Sequence, residues 1–428
     1  MKILIKNGWV IDPSQKMDAL YDLLIIDGRI ADLLPAGQSD ALGKDAKVYD
    51  VEGCWVTPGL IDMHVHLREP GHEYKETVET GTMAAAAGGF TAVACMPNTH
   101  PVCDDASVVD LILSQARKAG KARVHVVAAM TVGSKGEQLS QYAELAEAGA
   151  VGVSDDGRWV THGRMMRRVL EYAHVFGLTP ISHAEDPGLS GGHMNEGWVA
   201  TRLGLAGIPA AAEETAVFRD VTLAELTKTP LHIAHLSTRG AVEIVRAAKA
   251  RGVKITCETA PHYFSLTEEA VAEYDTHAKM NPPLRSADDM AAVRQGLADG
   301  AVDCVATDHA PHSVLEKDVE FDQAAFGVVG LETALPLTLD LVRDKVISRM
   351  RMVEVLSRNP AKILGVSGGT LSRGAPADVT VIDPQATWNC RAEDFNSLSR
   401  NTPFEGKTMT GRAVLTLVDG RAVFSSLG

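Results

Sequence analysis

Two histidines, His64 and His66, stand one residue apart at the end of the apolar run in "GLIDMHVHLREPG", and Arg68 continues the same alternation. Residues two apart in a strand point to one face, so both imidazoles reach the same space and can hold one ion. Three more ligand-type groups stand where other apolar runs turn polar: His183 in "SHAED", His235 in "IAHLS" and Asp308 in "ATDHAPH". Neutral imidazole with carboxylate suits a borderline divalent metal, with zinc the leading candidate. One such histidine alone would more often be a hydrogen-bonded core residue. Five such groups at successive strand ends argue for a metal centre, provided a fold brings those ends together.

The elements that could do so recur from residue 58 onward as β-branched apolar runs with polar ends: "GLIDMHVH", "FTAVACMPN", "ARVHVVAAMT", "GAVGVSDDG", "LTPISHAED", "PLHIAHLS", "VKITCETAPHY" and "VDCVATDHAPH". They number about eight, as a closed parallel barrel requires. Between them lie amphipathic stretches such as "DASVVDLILSQARKAG" and "GRMMRRVLEYAHVFG", with apolar residues at helical spacing. Strands covered by helices should be almost wholly apolar, so the polar residues at their ends are the anomaly, and a barrel keeps its active site at that face. Both ends of the chain have another texture: short Ile, Val and Leu runs broken by Asn-Gly, Asp-Gly and Pro-Gly, which is hairpin chemistry. The fold predicted is therefore α/β: a (β/α)8 TIM barrel over residues 56–363, with a small β-sandwich domain assembled from residues 1–55 and 364–428.

Composition narrows the partners. The chain has 428 residues, 45% of them hydrophobic, and a formal net charge of -14 from 41 basic and 55 acidic residues. That balance disfavours nucleic acid or an anionic membrane surface, and an anionic substrate would need locally placed arginines. The six cysteines are scattered without a CxxC pair, several of them inside apolar runs, which fits a reducing cytoplasm. No stretch approaches the ~18 uninterrupted apolar residues of a membrane span.

"HVHLREPG", "MPNT" at 96–99, "SDDG" at 154–157, "MNPPLR" at 280–285, "TDHAPH" at 307–312 and "FGVVGLET" at 326–333 resemble the amidohydrolase superfamily and, within it, the class I dihydroorotases. The paired histidines alone mark only the superfamily; the combination is far more specific. The resemblance implies a metal-dependent hydrolase that interconverts dihydroorotate and N-carbamoyl-aspartate in pyrimidine synthesis, with metal-activated water as the nucleophile. Relatives such as hydantoinases and allantoinases bridge two metals with a carboxylated lysine at the end of the fourth strand. Here "GAVGVSDDG" has no lysine, and the family spacing to the "SHAED" histidine favours Asp156 over Asp155 as the bridging carboxylate. A plain Asp-Gly turn is the competing use of that pair.

The implied centre holds two zinc ions per subunit, one on His64, His66 and Asp308, the other on His183 and His235, with Asp156 between them. A metal lowers the pKa of bound water toward ~7 and polarises a carbonyl, correcting both defects of a sluggish amide hydrolysis. Asp308 gains a second task as the proton shuttle. Arg68 offers a planar fork that fits the substrate carboxylate, against the competing reading of a rim ion pair with Glu69 or Glu76. By resemblance, His66, Asn98 and His312 also line the substrate, and Asn281 with the backbone at Phe326 and Gly327 meets the ring amides. His125, His232 and His262 are assigned to structure. The connection 312–327 has the length of a lid. The alternatives are a hydantoinase or allantoinase, argued against by Arg68, Asn98 and the missing lysine, and a non-catalytic scaffold for aspartate transcarbamoylase, argued against by the full ligand set. A homodimer and association with that transcarbamoylase belong to the same family expectation.

Overall fold

A computed structural model describes residues 1–37 and 45–427. Eight parallel strands follow one another around a barrel in chain order: Leu60–Val65, Phe90–Cys95, Arg123–Ala128, Ala150–Val153, Thr179–Ser182, Leu231–Ile233, Ile255–Thr259 and Cys304–Val305. The ring closes where Val65 bridges His309 and the His66 N–H donates to the His309 carbonyl at 2.9 Å. The first two strands are buried at every residue, as expected for strands with a filled barrel on one side and helices on the other. Met63, Ala94, Val127, Ile181, Ala234 and Cys304 fill the interior as one apolar cluster, so the barrel is a packed plug below its mouth.

Four of the helices between strands begin where the sequence supplies a side-chain acceptor. Thr77, Asp105, Thr238 and Ser286 each accept a hydrogen bond from a first-turn N–H at the start of Val78–Ala87, Ala106–Ala119, Arg239–Ala250 and Ala287–Asp299. Such caps contribute about 1 kcal/mol apiece. The long helix Ala211–Thr227 is unusual in turning carboxylates inward: buried Asp220 accepts from the Ser182 hydroxyl at 2.6 Å and the Trp159 indole at 3.0 Å, which ties down the end of the fifth strand. Among the described residues no helix is long and apolar enough to cross a membrane.

The two ends of the chain make the expected β domain, one eight-stranded sheet. Its strand Lys2–Asp12 is interrupted by a bulge between Ile5 and Gly8, where Asn7 takes φ 61°. The first half of that strand pairs with Lys47–Asp50 and the second with Trp55–Pro58. Trp55–Pro58 also pairs antiparallel with Val379–Asn389, so the segment leading into the first barrel strand is clamped between both termini. Gly59 makes the crossing, and a Cβ there would lie 2.1 Å from the Thr91 hydroxyl oxygen.

Candidate active site

At the carboxyl ends of the barrel strands, six of the residues singled out above converge. His64 lies within the first strand, His66 and His183 immediately follow the first and fifth, and Asp156, His235 and Asp308 stand two or three residues past the fourth, sixth and eighth. Asp156 is central: its Oδ1 lies 3.3 Å from His64 Nε2, 3.6 Å from His183 Nδ1 and 3.9 Å from His235 Nε2, and its Oδ2 lies 3.5 Å from His66 Nε2. Asp308 Oδ1 approaches His66 Nε2 at 3.0 Å and His64 Nε2 at 3.5 Å. His183 Nδ1 and His235 Nε2 are 2.9 Å apart. Asp155 turns the other way and accepts from the Thr131 N–H at 3.0 Å and the Thr131 hydroxyl.

The cluster is buried, and its polar atoms are incompletely satisfied. His64 Nε2 and Asp156 Oδ1 have no hydrogen-bond partner despite complete burial, an expensive condition unless something cationic sits between them. The electrostatics agree. Against the desolvation of burial, Asp156, Glu258 and Asp308 hold the His64 pKa well above its ordinary value. Against burial again, Asp156 and Glu185 lift His183 to about 10, whereas burial, His183 and His64 push His235 down to about 4. Burial opposes ionisation of Asp308, yet His64 and His66 keep it below the usual carboxylate range. The buried carboxylates thus favour positive charge at His64 and His183, a demand that a bound cation would also meet. The ligand atoms of His64, His66 and Asp308, and those of His64, Asp156 and His235, lie within 4.8 Å of one another. Four imidazoles and two carboxylates in that arrangement fit divalent metal.

Glu258, on the seventh strand, was not foreseen. Buried, it takes the His64 Nδ1 proton at 2.6 Å and the His232 Nε2 proton at 3.2 Å, fixing the tautomer that leaves His64 Nε2 free for an ion. A signal was available: a carboxylate inside "ITCET", a strand otherwise expected to be apolar. The third possible ligand group, His232, Glu258 and Cys304, is already engaged in hydrogen bonds through its histidine and carboxylate. His232 is thus structural, as expected. His262, also assigned to structure, is buried with its Nε2 unpartnered, and burial pushes it down to about 4.

The remaining candidates form a rim. Arg68 does not reach it by strand alternation, because the strand ends at Val65 and Arg68 sits in a turn at φ 61°. His235 and Asp308 share that left-handed backbone, at φ 34° and 47°, a strained choice for side-chain-bearing residues. The Arg68 guanidinium donates to the Pro311 carbonyl at 3.2 Å and to His312 Nε2 at 3.3 Å. His312 stays a neutral acceptor, since burial, Arg68 and Lys75 push it down to about 3. Asn98 spends its amide on the cluster itself, accepting from His66 Nδ1 at 2.8 Å and donating to Asp156 Oδ2 at 3.3 Å. Asn281 donates to Glu185, which lies 3.8 Å from His183 Nε2, and its own Oδ1 is buried without a partner. Gly327, at φ 139°, packs so tightly on Ala310 that a Cβ would lie 2.7 Å from the alanine Cβ. Its N–H is taken by the Lys279 carbonyl at 3.0 Å, so of the backbone groups expected to meet substrate this donor is engaged. The Phe326 ring lies under the Lys279 ammonium, 4.6 Å from ring centre to nitrogen.

Comparison with known proteins bears on this arrangement. Residues 53–241 match the family model described as dihydro-orotase-like. A protein of Geotalea daltonii named dihydroorotase is 58% identical over 424 residues, covering 99% of both chains. One of the same name from Geobacter sulfurreducens is 57% identical over 426 residues, covering 99% of this chain and all of its own. Among solved structures, the L-hydantoinase (dihydropyrimidinase) of Arthrobacter aurescens superposes with a TM-score of 0.88 at 26% identity, over 100% of this chain and 96% of that one.

Proposed function

The chain belongs to the dihydroorotase family, and from that premise we propose that it interconverts dihydroorotate and N-carbamoyl-aspartate in pyrimidine synthesis by opening and closing one ring amide bond. The observation that carries the reading is the buried cage around Asp156, with an orphaned carboxylate oxygen facing three histidines and no lysine on the fourth strand. Divalent metal fits that cage: His64, His66 and Asp308 would hold one ion, His183 and His235 a second, with Asp156 shared, and zinc suits the donor set. Bound there, it would supply an acidified water and a polarised carbonyl.

The chain's own residues do the rest. Asp308, kept ionised by His64 and His66, takes the proton of the attacking water and returns it to the ring nitrogen. One C–O bond forms, the amide C–N bond breaks, and the proton crosses through a single carboxylate. Arg68, held from behind by Pro311 and His312, keeps its other N–H groups for the substrate carboxylate. Asn98 holds His66 and Asp156 in register, and the unpartnered Asn281 Oδ1 is ready to accept a ring N–H. The fit to a hydantoinase structure favours cyclic amides as the substrate class, and the Arg68–His312 pair favours an acidic one among them.

Metal content measured alongside rates on dihydroorotate, hydantoin and allantoin tests the proposal. About two divalent ions and a strong preference for dihydroorotate are expected; faster turnover of hydantoin, or an inactive protein with full metal, would overturn it. The family expectation of a homodimer and of docking on aspartate transcarbamoylase is checked by sedimentation of the protein alone and mixed with that enzyme. Six free cysteines, five of them buried, suit a reducing cytoplasm.

A further inference from the structure

Two buried lysines stand beside the rim with no carboxylate in ion-pair range among the described residues. Lys317 and Lys279 are each 2% exposed. Lys317 Nζ donates to the carbonyls of Thr276 at 2.8 Å, Lys279 at 3.1 Å and Ala325 at 2.7 Å. Lys279 Nζ donates to the carbonyls of Phe321 at 2.7 Å and Asp322 at 3.0 Å and lies over the Phe326 ring. Main-chain bonds run beside them, from the Gly327 N–H to the Lys279 carbonyl and from the Ala325 N–H to the Glu316 carbonyl. Every one of these bonds joins the connection 312–327 to itself or to residues 276–279, two residues before Asn281.

We propose that Lys279 and Lys317 are positioning residues: together they form a latch that fixes 312–327 against 276–281 and thereby sets His312, Phe326 and Gly327 opposite Asn281 for substrate. Three carbonyls around Lys317 Nζ use every N–H of an ammonium, so no apolar or shorter side chain can replace it without orphaning buried acceptors. Burial and the neighbouring Lys279 press against that charge, and Glu316 and Asp275 support it. The expected lid is therefore held as a fixed wall of the site, and its precision enters through substrate binding. The proposal rests on the dihydroorotase reading for what is bound, but not for the latch itself.

Lys317→Met and Lys279→Met test it. Each should raise the KM for dihydroorotate about tenfold or more, with kcat and metal content changed little, because the ion cage lies on other elements. Hydrogen exchange at Ala325 and Gly327 should speed up in both variants, and saturating dihydroorotate should restore part of the protection. An equal fall in kcat and kcat/KM with KM unchanged, or unaltered exchange, would overturn the latch. Should the variants fail to fold, the wild-type protein decides: Ala325 and Gly327 amides exchanging as slowly as those of the barrel strands support it, and exchange at the rate of an open loop refutes it. That readout needs no turnover, so failure of the proposed reaction would leave the latch separately testable.

Discussion

The proposed ion cage and the proposed substrate rim share one barrel mouth but are built by different means. The cage comes from residues within or at most three positions beyond five parallel strands, and its members touch one another: Asp156 with four histidines, His66 with Asp308, His183 with His235. The rim comes from turns and loops, and its members are held by a mixture of side-chain and main-chain partners on other segments: Asn98 by His66 and Asp156, Asn281 by Glu185, Arg68 by Pro311 and His312, and Gly327 by the Lys279 carbonyl. Asn401, far along the chain, ties the rim together: its amide donates to Ala310 and Gly327 at 3.0 Å each and its oxygen accepts from the His312 N–H at 3.0 Å. The cage is thus as rigid as the barrel, whereas the rim depends on loop packing. Damage to the first should remove chemistry, and damage to the second should weaken binding.

The largest effect expected is in the cage. His235→Ala removes a ligand, leaves His183 alone with Asp156, and should lose the second ion, and activity to the limit of detection, while far-UV circular dichroism stays unchanged, because the apolar plug lies below. Full metal content and rate would dissolve the distinction between cage and rim. Asp308→Asn comes next. It preserves shape and one ligand oxygen but carries no exchangeable carboxylate proton, so turnover should fall by about 10² or more with part of the metal retained. A near-normal rate would take the shuttle role away from Asp308.

In the rim, Arg68→Lys keeps the charge and loses the fork, along with the contacts to Pro311 and His312. Charge-assisted hydrogen bonds of this kind are worth about 1.5–3 kcal/mol, so the KM for dihydroorotate should rise roughly tenfold or more, with kcat falling less. A pure kcat loss would place Arg68 in the cage.

The same division explains what could be read from sequence. His64, His66, His183, His235 and Asp308 were legible because a polar residue ending a β-branched run breaks a simple rule, and barrel geometry gathers all such ends. Glu258 obeyed the same signal one position deeper in its strand. Asn401, Lys279 and Lys317 carried none: their partners are main-chain carbonyls, and nothing in an amino-acid type announces which loop will lie above it. The left-handed backbone at Arg68, His235 and Asp308 was likewise invisible, since tertiary closure imposes it against local preference.

Away from the mouth, polar groups should matter to stability alone. His125, on the third strand and lining the groove toward the terminal sheet, is half-buried with an unpartnered Nε2, and burial with Arg123 pushes it down to about 4 from 6.5. Between those values the unfolded chain binds a proton that the folded protein does not, so this residue makes stability fall as pH drops from 6.5 toward 4. The slope contributed is at most about 1.4 kcal/mol per pH unit. His125→Phe should flatten the acid limb of a denaturant-derived stability profile by up to one proton and leave kcat/KM unchanged. An unaltered slope would mean that His125 titrates normally.

The smallest effect expected is none, and it bears on the bridge at the centre of the cage. The resemblance to the amidohydrolases raises a carboxylated lysine as the alternative bridge, but the fourth strand, Ala150–Val153, carries no lysine, and Asp156 stands three residues past its end. Lys135, on the loop after the third strand, follows the turn Val132–Ser134 and is exposed to solvent. Asp156 meanwhile already lies within 3.3 to 3.9 Å of all four cage histidines, so a carboxylated lysine would have to displace a carboxylate that is in place. Lys135→Ala should accordingly retain its rate and metal content within about twofold, as surface substitutions do, and removal of dissolved carbon dioxide during metal reconstitution should make no difference. A rate lost in Lys135→Ala, or reconstitution that requires bicarbonate, would transfer the bridge to a loop residue, and the contrast between a strand-built cage and a loop-built rim would fail at its central ligand.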